Sequence, residues 1–113
     1  MINRDADRFL EHSRQIHSLA ASLSRDGIAV YEYSYDMLAF GSWLLVLGKR
    51  KYRFRFIWDG KEGFLKTEKA LIPDSGTIIK WEEILNKIDA NQPRENIFKL
   101  IEEFTIKQFQ WQQ

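Results

Sequence analysis

The chain has 113 residues, of which 44% are hydrophobic, 14% aromatic and 29% charged, and it carries a net charge of +1. This is the profile of a folded globular chain and excludes a disordered, charge-dominated tract; the length suits one α+β domain spanning residues 1–113. With no cysteine present, disulfides, thiolate metal sites and cysteine nucleophiles are excluded together.

The opening stretch "MINRDADRF" turns charged at once, which reads as neither a signal peptide nor an anchor. The longest unbroken apolar run, "WLLVL", falls far short of the roughly 20 residues that a spanning helix needs. No membrane partner and a cytoplasmic location are therefore expected. The small net charge conceals a division along the chain. Residues 49–69 hold eight basic against three acidic side chains, whereas residues 82–103 hold three basic against six acidic. Such an asymmetry can steer an anionic partner to one side or let two copies meet.

In chain order, Ala6, Phe9, Ser13, Ile16, Ala20 and Leu23 recur at steps of three and four and predict a helix over about 4–25, capped by Asn3 and ended at Gly27. From Ile28 the period changes to two. "IAVYEYSYD" sets Tyr31, Tyr33 and Tyr35 on one side of a first strand and Val30, Glu32 and Ser34 on the other. "SWLLVLG" is apolar on both faces, as an interior second strand should be. Gly48 and Lys49 then lead into "KYRFRFIW", in which Tyr52, Phe54, Phe56 and Trp58 alternate with Lys51, Arg53 and Arg55. Asp59 and Gly60 turn the chain again, into a fourth strand through "GFLKTEKALI".

Beyond Pro73, the spacing of Ile78, Trp81, Ile84, Leu85 and Ile88 predicts a second helix, and that of Ile97, Leu100, Ile101 and Phe104 after Pro93 a third. The expected fold is α+β: an N-terminal helix, a four-stranded antiparallel meander and two C-terminal helices, packed mainly on one sheet face.

The functional reading depends on register. If Asp36 pairs with Gly41, all three tyrosines share a face with Leu44 and Val46. A four-residue loop from Gly48 to Lys51 adds Arg53 opposite Val46 and Arg55 opposite Leu44. The other face collects Trp43, Leu45, Leu47, Phe54, Phe56 and Trp58 and seats the helices. The exposed platform of Tyr31, Tyr33, Tyr35, Leu44, Val46, Arg53 and Arg55 has the Tyr and Arg enrichment of protein interfaces. It predicts a non-catalytic binding module that meets a protein partner or a second copy of itself. An alternative use of the same face is single-stranded nucleic acid, with Lys49, Arg50 and Lys51 as phosphate contacts. A second alternative is a small-ligand carrier or enzyme with an apolar pocket lined by Trp43, Trp58 and Trp81.

No cofactor, metal or catalytic constellation is expected. His12 and His17 are five residues apart, so on a helix they point about 140° away from each other and cannot share a metal. Ser34, Ser42 and Asp36 have no histidine placed near them, and "GKRK" has neither the glycine spacing nor the following helix of a phosphate-binding loop. Arg53 and Glu68 are expected to pair across the third and fourth strands.

Overall fold

Helix α1 (Arg4–Ser24) buries Ile16 and Leu23 of the expected stripe together with Leu19, which that stripe leaves out, whereas Phe9 of the stripe stays 39% exposed. In the computed structural model, which describes residues 4–36, 38, 41–74, 76, 80–84 and 94–111, this helix ends in a Schellman motif. Gly27 takes a left-handed φ of 74°. Its N–H bonds the Ser24 carbonyl while that of Ile28 reaches back to the Leu23 carbonyl, both at 3.1 Å. Leu23 and Ile28 are themselves buried, so the cap also starts the core.

Five strands follow: β1 (Ala29–Asp36), β2 (Ser42–Lys49), β3 (Tyr52–Asp59), β4 (Phe64–Leu71) and β5 (Glu82–Ile84), and then helix α2 (Arg94–Trp111). Each strand pairs antiparallel with the one before it, in the order β1-β2-β3-β4-β5. The α+β meander with a helix at each end agrees with the sequence expectation, but the number of elements does not. Where a second helix is expected, Glu82, Glu83 and Ile84 pair with Lys69, Glu68 and Thr67. Among the described residues the sheet thus has five strands rather than four, and one C-terminal helix follows rather than two. A short run with apolar residues three apart satisfies either period. Here the open edge of β4 supplies main-chain partners and the strand wins. The rest of that expected helix, including Ile78, Leu85 and Ile88, lies outside the described residues.

Both helices lie on one side of the sheet. Beneath them Trp43, Leu45, Leu47, Phe54, Phe56, Trp58 and Leu65 meet Ile97, Phe98, Ile101, Phe104 and Phe109 of α2. Each such side chain contributes about 1.5–3 kcal/mol on burial. The rings pack edge to face, Phe104 against both Phe54 and Phe56 and Phe109 against Phe54. Thr105, fully buried, bonds the Ile101 carbonyl at 2.7 Å, so no hydroxyl is left unsatisfied there. Ser22 donates to Glu102 and ties α1 to α2. No helix among the described residues is long and apolar enough to cross a membrane.

Candidate functional site

The register decides which side chains remain outside the helix layer. Asp36 pairs with Ser42, not Gly41, so the connection is one residue longer than expected and the parity of β1 inverts. Tyr33 therefore stands opposite Leu45 and Tyr35 opposite Trp43, both facing the helices. The expectation that the three tyrosines form one exposed row is corrected here. Tyr31 alone remains outside, because the register shifts again between Val30 and Glu32. The bulge takes up one residue and returns the start of the strand to the original parity.

In the β2–β3 hairpin the loop is Arg50–Lys51 only, since Lys49 pairs with Tyr52. Arg50 takes a left-handed φ of 58° in this turn. Shortening the loop by two residues preserves parity but slides the partners, so Val46 faces Arg55, Leu44 faces Ile57 and Gly48 faces Arg53. The same slide in the next hairpin pairs Glu68 with Arg55 rather than Arg53.

The outer face that results is a set of locked pairs around an apolar centre. The Arg53 guanidinium lies 3.6 Å from the centroid of the Tyr31 ring and donates to the Arg50 and Tyr52 carbonyls at 2.7 and 2.8 Å. It crosses Gly48 on the way. A Cβ at Gly48 would stand 2.5 Å from Arg53 Cδ and 2.6 Å from the Tyr52 carbonyl oxygen, so only glycine lets the two strands and this side chain share the space. Arg55 holds Glu68 through Nε at 2.7 Å and Nη2 at 2.5 Å, with Trp81 stacked 4.2 Å above its Cζ. Glu68 is buried at 7% exposure, so its charge depends on that fork. Between these pairs Leu44 and Ile57 stand side by side, half-buried, and Val46 is buried.

Tyr33 and Tyr35 instead help to enclose His12. That imidazole stacks on Tyr33 and also meets Tyr35, Trp43 and Phe98, with centroids 4.8–5.5 Å away. Its Nδ1 is 2.5 Å from the Tyr33 hydroxyl, while its Nε2 is buried without a hydrogen-bond partner. Desolvation lowers its pKa from 6.5 to about 4, which keeps the ring neutral near pH 7. Burial likewise raises the Tyr33 phenol, opposed by a hydrogen bond from Ser13 and assisted by Tyr35. This nest glues α1 to the sheet through its aromatic rings.

The other sequence-predicted groups do not converge. Lys51 pairs with Asp74, and the Lys49 stem passes close to Gly27 at the end of α1, so two of the three hairpin cations already have neighbours within the chain. Trp43 and Trp58 are core residues whereas Trp81 is on the opposite face, so they line no common pocket. Among the described residues no group of three His, Asp or Glu is placed to hold a metal. Sequence reasoning missed Ile57 and Trp81 as members of the outer face and gave Glu68 the wrong partner. Ile57 carried a readable signal, since it continues the alternation of Arg53 and Arg55. Trp81 did not, because its segment read as a helix.

No family model matches the chain, and neither a curated protein nor a solved structure is significantly similar to it.

Proposed function

We propose that the chain is a non-catalytic protein-interaction module that self-associates through its outer sheet face, using Tyr31, Leu44, Val46, Arg53, Arg55 and Ile57. The observation that carries this reading is the Leu44–Ile57 pair, half-buried at the centre of a face over which no helix is described. Around it the cations already have partners within the chain. A second layer can therefore cover Leu44 and Ile57 without stranding either arginine, the usual obstacle to closing a polar face. Glu32 beside Val46 and Lys66 opposite Ile57, 3.9 Å from Glu68, are left to meet solvent or each other across the seam. Two copies related by a two-fold axis would stack sheet on sheet, about 10 Å apart, with the same residues on each side.

Nucleic acid is not favoured by this geometry. One exposed ring, Tyr31, is left from a platform of three, and Arg55 is engaged by Glu68. The test is a dilution series followed by amide chemical shifts. Concentration-dependent shifts centred on Leu44, Val46, Arg55 and Ile57 are expected. Shifts confined to the helices, or none up to millimolar protein, would dismiss the reading.

A further inference from the structure

A second feature lies at the corner where β3 begins and β4 ends, beyond the Leu44–Ile57 centre of the outer face and touching that face only through Arg53 and Ala70. The pairing of β4 with β5 stops at Lys69–Glu82, so the next pair on that side, Tyr52–Leu71, has no third strand beside it among the described residues. A cleft of about 330 Å³ opens there, at the small end of the range that holds organic ligands. Its floor is apolar: Tyr52, Phe54 and Leu71 line it. Phe54 is buried to 1% exposure, while Leu71 remains 57% exposed, an apolar surface left uncovered at the mouth of a concavity.

The rim is cationic. Lys69 and Lys80 border the cleft with Glu82, and neither lysine is in an ion pair among the described residues, although Lys69 stands directly across the strands from Glu82. Arg53 also reaches the cleft, but its guanidinium is held by the Arg50 and Tyr52 carbonyls and the Tyr31 ring. A ligand's charge would fall to the two lysines. An apolar floor beneath two unpaired ammonium groups selects a molecule with one anionic end and one hydrocarbon body. Inorganic phosphate would leave the floor wet, and a cationic amphiphile would face like charge.

We propose that this cleft is a binding site for a small amphipathic carboxylate, whose tail lies on Tyr52, Phe54 and Leu71 and whose carboxylate is held by Lys69 and Lys80. The site does not depend on self-association.

Octanoate is the probe, with octylammonium and acetate as controls, titrated into the full chain and followed by calorimetry and amide shifts. Octanoate should perturb Tyr52, Phe54, Lys69 and Leu71, and both controls should bind at least tenfold more weakly. Lys69→Met with Lys80→Met keeps the aliphatic stems and should weaken octanoate about tenfold for each ammonium group removed. Leu71→Asp, at an exposed position where folding is not at stake, should abolish it. Octylammonium binding as tightly as octanoate, unchanged affinity in the double lysine variant, or octanoate shifts confined to another part of the fold would each overturn the assignment. An unchanged sedimentation profile alongside any of these would show that the outer face is unaffected by the result.

Discussion

The two faces of one sheet use aromatic and charged residues in opposite ways. On the helix side Trp43, Phe54, Phe56 and Trp58 meet other rings and exclude water, and His12, which packs against Trp43, is kept neutral. On the outer side the rings of Tyr31 and Trp81 meet guanidinium groups, and charge is retained by pairing it. The first face holds the fold together. The second pairs its arginines within the chain and is apolar at its centre, and it is the face on which the proposed association rests. The contrast shows that identical strands can build a core on one side and a surface suited to closure on the other.

The sharpest way to break the contrast is in the core. Phe56 is fully buried against Phe104, and Phe56→Ala should cost about 3–5 kcal/mol, read as a fall in the urea midpoint. Replacing Ile57, its neighbour on the other face, by Ala should cost no more than about 1 kcal/mol, since its side chain is only partly buried and leaves no enclosed cavity.

Acid should separate the faces next. Because the folded chain binds a proton at His12 less readily than the unfolded chain does, stability is fully present above pH 6.5 and declines as the pH falls toward 4, with no further loss from this group below that. Protonation would add charge and a second N–H beside rings that offer no acceptor to Nε2. Allowing for solvent at the edge of the nest, the loss is about 1–3 kcal/mol. Denaturant melts between pH 4 and 7 should show it, and His12→Phe should flatten that part of the profile.

An effect of similar size tests the outer pairs. Glu68→Ala leaves Arg55 half-buried beneath Trp81 without its carboxylate and should cost about 1–3 kcal/mol. Glu68→Gln, which keeps an acceptor, should cost less. Smallest of all, Arg50→Gly relieves a left-handed residue in the β2–β3 turn and should raise stability by about 0.5–1 kcal/mol, visible as a few degrees in the thermal midpoint.

Most of the core was legible in the sequence. Ile16 and Leu23 of the helix stripe and the alternation of Phe54, Phe56 and Trp58 follow one period each, and the structure buries those residues, while Leu19 joins the core from beside the stripe and Phe9 leaves it. The site was harder to read, because a strand's parity is set by the length of the connection before it. One extra residue between Asp36 and Ser42 sent Tyr33 and Tyr35 under α1, and the bulge at Tyr31 reversed the change for that residue alone. Two hairpins shifted by two residues preserved every face yet exchanged every partner, which is how Glu68 came to hold Arg55 in place of Arg53. Leu44, Val46, Arg53 and Arg55 kept the face expected of them because even shifts leave parity unchanged. β5 was missed because three residues are too few to show a period.

Sedimentation equilibrium on the native chain and on Leu44→Glu/Ile57→Glu tests the central claim most directly. The account predicts a concentration-dependent dimer for the native chain and a folded monomer for the variant, with unchanged far-ultraviolet dichroism. A native chain that stays monomeric at the highest attainable concentration, or a variant that still dimerises, would contradict it.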